Sequence, residues 1–206
     1  MGLISNGTTI FDAGALDSGL AKGSMTLIKN ITLSSAAASI SFVDGASGVV
    51  LDDTYKEYIF FWNNFHPASD DQNLFFNMSA DTGSNYNVTK TTTYFRANHN
   101  ENDGAASLNY RSGEDLAQGT GFQKLTLGTN NDADSASSGT LHLFDPSNTT
   151  FIKHFISRVA DAYGEPSNND TFISGYGNTT SAVDAIQFKF GSGNIDAGSI
   201  SLYGIA

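Results

Sequence analysis

From Ser24 to the C-terminus the apolar residues recur with period two, and clusters of Gly, Asn, Asp and Ser interrupt them at short intervals. A strand puts successive side chains on opposite faces, so this pattern describes pleated surfaces with one wet and one dry side. Asp184-Ala185-Ile186-Gln187-Phe188-Lys189-Phe190 alternates strictly and is closed by Gly191-Ser192-Gly193-Asn194. Ala38-Ser39-Ile40-Ser41-Phe42-Val43 behaves the same way. Tyr58-Ile59-Phe60-Phe61-Trp62 is instead an unbroken apolar run, as expected of a strand covered on both sides near the middle of a sandwich. Further strands are expected from Met25 to Leu33, Gln72 to Ser79, Thr91 to Ala97, Ala105 to Tyr110 and Phe122 to Gly128. Three more are expected from Thr140 to Phe144, Phe151 to Val159 and Gly198 to Ile205. Asn168-Asn169-Asp170 reads as a turn. No long helix or fixed-period repeat competes, so the chain reads as all-β. The architecture expected is an antiparallel β-sandwich, jelly-roll-like because its connections are long.

The 206 residues suffice for one core, and 15 Phe with 8 Tyr are too many to leave in water, which excludes disorder. The expected division is a body at 24–206 and an N-terminal arm at 1–23. Asn6-Gly7 and Asp12-Ala13-Gly14 break any period in the arm, so it is expected to be extended, with little to nucleate structure by itself. Yet Leu3, Ile4, Ile10, Phe11, Leu16 and Leu20 make it too apolar for a solvated tail. These six residues are therefore the expected partner contacts. An edge strand and loop of the same domain is the other reading of this segment.

Charge and residue types exclude several kinds of chemistry. Acidic residues outnumber Lys and Arg by 21 to 10, giving a net charge of -11, so nucleic acid is not an expected partner. No apolar run reaches the roughly 18 residues of a membrane span. Met1-Gly2-Leu3-Ile4-Ser5 lacks the basic start of a secretory signal. Cysteine is absent, which removes disulfides, thiol nucleophiles and cysteine-ligated metals. The histidines His66, His99, His142 and His154 show no metal spacing, and no GxSxG elbow marks a serine nucleophile. Asp132 and Asp134 have the alternation of a calcium loop but no following glutamate, so a solvated turn is the preferred reading. Glu57, Glu101, Glu114 and Glu165 form no evident catalytic pair for glycoside hydrolysis. Tyr86, Tyr94, Phe95, Tyr110, Tyr163 and Tyr176 stand in polar surroundings and could stack on sugars, although core packing is the commoner use. No catalytic residue, metal or cofactor is expected.

The C-terminal segment from Phe190 through Gly191-Ser192-Gly193-Asn194 to Ser199-Ile200-Ser201-Leu202-Tyr203-Gly204-Ile205 resembles the end of many virion structural proteins of tailed, marine-type bacteriophages. Tyr55-Lys56-Glu57-Tyr58 through Phe65 and Asp81-Thr82-Gly83-Ser84-Asn85-Tyr86 are similar to blocks of the same proteins. The resemblance implies a non-enzymatic particle protein with a β-sandwich body, made in the bacterial host cytoplasm and carried in the virion. The role expected first is a capsid decoration or cement subunit contacting other virion proteins, as a homo-oligomer such as a trimer. The alternative is a tail-fibre or appendage module that binds host receptor or glycan. The resemblance supplies no catalytic residues.

Overall fold

Strand follows strand throughout the computed structural model, which describes residues 3–12, 15–16, 24–163 and 167–206. Three short strands come first: β1 (Leu3–Ser5), β2 (Thr8–Asp12) and β3 (Ala15–Leu16). Next are β4 (Met25–Thr32), β5 (Ile40–Val43), β6 (Glu57–Pro67), β7 (Leu74–Ser79), β8 (Lys90–Asn100) and β9 (Ala106–Tyr110). The series ends with β10 (Gln123–Lys124), β11 (Ser137–Phe144), β12 (Lys153–Tyr163), β13 (Ser167–Gly177), β14 (Ala185–Phe190) and β15 (Ile195–Ile205). No helix among the described residues is long and apolar enough to cross a membrane.

Eight of these strands pair in nested fashion: β4 with β15, β5 with β14, β6 with β11 and β7 with β10, all antiparallel. Nesting of this kind is one long hairpin wound over twice, which is a jelly roll. Contacts of β15 with β6 and of β14 with β7 complete its two sheets. The smaller sheet runs β10-β7-β14-β5. The larger runs β4-β15-β6-β11 and then continues through β12-β13-β8-β9 to eight strands. The added strands come from two insertions, β8–β9 between β7 and β10 and β12–β13 between β11 and β14. Those insertions join side by side through the β13–β8 ladder.

Apolar side chains from both sheets meet between them, which defines the sandwich. Phe60 on β6 touches Phe42 of β5 at 5.2 Å and Phe188 of β14 at 5.5 Å between ring centroids, and Phe155 of β12 meets Phe76 of β7 at 4.9 Å. The run at Tyr58–Trp62 falls on a central strand, as its lack of alternation requires. Tyr58, Phe60 and Trp62 face the core, Ile59 is buried on the outer side and Phe61 is half-buried there. Asn63 and Asn64 then form a bulge, with Asn64 at φ 52 and its N–H donated to Ser138 Oγ. The extra residue restores an inward Phe65 and sends His66 to the opposite side.

Two segments depart from expectation. Residues 3–16 have more local order than their composition suggests: Asn6 (φ 48) and Gly7 (φ 77) both adopt the left-handed backbone of a two-residue hairpin turn. The resulting β1-β2-β3 sheet shares no ladder with the two body sheets among the described residues. Residues 167–177 form an eleven-residue strand where a turn was expected at Asn168-Asn169-Asp170. Full ladders on both sides, to β12 and β8, override the turn preference of those residues.

Candidate binding face

The smaller sheet covers one face of the larger, and the larger sheet's other face carries an apolar and aromatic ladder. Register places Asn30, Ser201, Phe61, Thr140, Arg158, Phe172, Phe95 and Tyr110 in one row across all eight strands. Neighbouring rows add Leu27, Tyr203, His142, Ile156 and Ser174, then His154, Tyr176 and Thr91. Phe95 stacks on Phe172 at 5.0 Å with an interplanar angle of 5°, and the Arg158 guanidinium lies 4.8 Å from the Phe172 centroid on the other side. Arg158 is fixed in turn by Asp170, through Nε–Oδ1 at 3.0 Å and Nη2–Oδ2 at 2.7 Å. Three shallow grooves open on this face. The one beside Tyr176 mixes aromatic walls (Phe144, His154, Tyr176) with hydroxyls of Thr91, Thr93 and Ser174.

This packing decides what the face can do. A sugar ring stacks on an exposed aromatic face, and both faces of Phe172 are already taken. Phe172 therefore presents a ring edge beside a paired guanidinium, a relief suited to protein contact. Among the aromatics singled out from sequence, Tyr94 is buried in the core, whereas Phe95 and Tyr110 are exposed on this sheet. Tyr86 and Tyr176 are half-buried.

Two histidine–carboxylate pairs border the face. His142 Nδ1 lies 2.5 Å from Glu57 Oε1. His66 Nδ1 lies 2.6 Å from Asp196 Oδ1, and its Nε2 is 3.1 Å from the backbone oxygen of Asp132. A carbonyl can only accept, so Nε2 donates its proton there. The ring thus bridges β15 to the 130–136 segment and its Nε2 is unavailable to activate a hydroxyl. Burial works against charge on His66, but Asp196 and the Asp132 carbonyl outweigh it and hold the imidazole above its ordinary pKa. His66 and Asp196 line an open groove together with Asp134 and Ser135.

The remaining sequence candidates are dispersed. Asn130 contacts Asp132 Oδ2 at 3.4 Å, and no group of three or more metal-ligating side chains occurs among the described residues. Glu114 is bound to Lys124 and sits 3.9 Å from Arg111. Glu165 lies outside the described residues. In the arm, Leu3, Phe11 and Leu16 share one cross-strand row. Leu3 and Ile4 are 63% and 61% exposed, Phe11 is exposed and Ile10 half-buried. Leu20 lies outside the described residues. Phe172 escaped the sequence reading because β13 did, the run Thr171-Phe172-Ile173 being the available signal; Arg158 stands on an expected strand and gains its role only from Phe172 and Asp170 on β13.

No protein-family model matches the chain, and no curated protein does. Among solved structures, a chain from "Structure of infectious bursal disease virus Gt strain" is 10% identical with a TM-score of 0.15, covering 96% of this chain. The overlap spans 47% of that chain's length, and a similarity so slight bears on neither fold nor function.

Proposed function

We propose that this chain is a non-enzymatic structural protein of a bacteriophage particle, a decoration subunit that binds neighbouring capsid proteins through the outer face of its eight-stranded sheet and its N-terminal hairpin. The observation that carries the reading is the Arg158–Phe172–Phe95 stack, an internally satisfied relief on the sheet face away from the smaller sheet. The exposed Leu3, Ile4 and Phe11 add an apolar contact at the start of the chain. The virion assignment comes from the resemblance of the Leu202-Tyr203-Gly204-Ile205 ending and the Tyr55–Phe65 block. The committed histidine nitrogen of His66 is consistent with affinity, rather than turnover, as the product.

The test is to purify particles of the phage encoding the chain and localise it by immunogold labelling. Label on the head, lost with Phe172→Glu while the variant remains folded, is the expected result. Absence of the chain from particles would refute the reading.

A second reading, an appendage binding host receptor or glycan, is favoured by the groove of Tyr176, His154, Thr91, Thr93 and Ser174, which combines ring surface with hydroxyls. Binding of the purified protein to a glycan array, abolished by Tyr176→Ala, would place this reading first.

A further inference from the structure

The free edge of the larger sheet has a hydrogen-bonding pattern that matches its own copy. β9 is the last strand of that sheet, and all five of its residues are exposed. Its inner edge is fully engaged: Asn100 N–H donates to Ala105 O at 2.9 Å and Arg111 N–H to Tyr94 O at 2.8 Å, which fixes the parity of the β8–β9 ladder. Residues 105, 107, 109 and 111 therefore turn their backbone groups toward β8. Ala106, Leu108 and Tyr110 turn theirs outward. No described residue bonds those three N–H and three C=O groups.

Natural edges are blunted by lysine, proline, bulges or shortness. The opposite edge, β4, carries Lys29, and the edge strand β10 is two residues long and contains Lys124. Ala106-Ser107-Leu108-Asn109-Tyr110 has no charge, no proline and no irregularity in its register with β8. Leu108 is 71% exposed and Tyr110 56%, both on the side of the sheet that bears Phe95 and Phe172.

We propose that β9 is a self-association edge, pairing antiparallel with β9 of a second copy about a two-fold axis through Leu108. In this register Leu108 faces its own copy and Ala106 faces Tyr110. All three are bonded pairs, so every outward group is used and six main-chain hydrogen bonds form. The two eight-stranded sheets become one continuous sheet, and the two Leu108 side chains cover each other. Charge agrees with the register. Arg111, just past the strand, comes opposite Ala105 of the second copy, beside the acidic turn that holds Glu101 and Asp103. The inference goes beyond the particle reading and stands or falls whether or not the chain is found in virions.

The test is sedimentation equilibrium of the full chain over the roughly micromolar-to-millimolar range in which small interfaces associate. Residue-resolved hydrogen exchange is measured alongside. A monomer–dimer equilibrium is expected, with the amides of Ala106, Leu108 and Tyr110 gaining protection as dimer forms while those of Ser107 and Asn109 are protected throughout. Leu108→Pro removes one outward N–H and none of the β8 ladder, so it should weaken the dimer at least about tenfold. A chain that stays monomeric overturns the proposal. So does a dimer whose outward amides exchange as fast as in the monomer, or one that Leu108→Pro leaves intact.

Discussion

Asn169 donates its side-chain amide to the carboxylate of Asp161 directly across the β12–β13 ladder, at 3.1 Å, with both residues buried inside the sandwich. Asp161 Oδ1 and Asn169 Oδ1 have no protein partner. Burial pushes the Asp161 carboxyl up to about 7, against the smaller opposing pulls of the Asn169 bond and of Arg96. Folding therefore takes up a proton between pH 3.8 and about 7.

The consequence is a stability that falls as pH rises through that window and is lowest, for this group, above 7. Asp161→Asn keeps an acceptor for Asn169 and has no charge to bury. Its melting temperature at pH 8 should exceed that of the wild type by roughly 5 °C, with little difference near pH 4. Equal melting temperatures at pH 8 would show that the carboxylate is not desolvated.

Lys90 gives the opposite slope. It is fully buried, bonded to Asn77 Oδ1 and to Val88 O at 2.7 Å, and burial brings its ammonium down to about 7. Folding then releases a proton between about 7 and 10.5, so the contribution is present above 10.5 and lost as pH falls toward 7. Urea titrations should show wild-type stability rising from pH 7 to pH 10, and Lys90→Met should flatten that rise. A slope unchanged by the substitution would mean that Lys90 keeps its charge in the folded chain.

Gly139 sits on β11 where a side chain has no room. A Cβ there would lie 2.6 Å from Trp62 Cζ2 and 2.7 Å from the Arg158 carbonyl oxygen, in the core-facing row that joins Trp62, Gly139 and Val159. Gly139→Ala should cost about 1–3 kcal/mol in chemical denaturation, because neither a packed indole nor a strand carbonyl yields cheaply. A loss below about 0.5 kcal/mol would mean that the two strands part more easily than their ladder implies.

His66 should act as a clasp whose strength depends on pH. Both ring nitrogens donate, one to Asp196 and one to Asp132 O, which requires the charged imidazole. With its folded pKa raised, the contribution is present below 6.5 and lost as pH rises through the folded value. Amide exchange at residues 132–135 should quicken, beyond its intrinsic pH dependence, as the ring deprotonates. In His66→Gln that extra step should vanish; its persistence would assign the effect to another group.

The N-terminal hairpin should be dispensable for folding of the body. Among the described residues its sheet shares no ladder with the sandwich, whose buried core cluster draws on Ile40 and later residues. Removing residues 1–23 should leave the unfolding midpoint within a few tenths of 1 M urea of the full chain, a shift of under about 1 kcal/mol. Under the decoration reading, it should abolish incorporation into particles. A shortened chain that incorporates normally would remove Leu3, Ile4 and Phe11 from the contact.

The sequence by itself determined the class of fold. Period-two alternation at Ile186-Gln187-Phe188 and the apolar run at Tyr58–Trp62 report which sides of a strand are dry, and that is a local property. Asn6-Gly7 likewise encodes a hairpin turn that was legible as a pair of residues, although the glycine-rich surroundings hid it. Tertiary structure alone decided the rest. β13 exists because two flanking ladders compensate for Asn168, Asn169 and Asp170, and pairing across such distances leaves no local trace. The Phe95–Phe172–Arg158 stack needs three strands brought side by side from separate insertions. Nothing in the sequence around Asp161 or Lys90 marks either as buried, because desolvation depends on what lies overhead rather than on sequence neighbours.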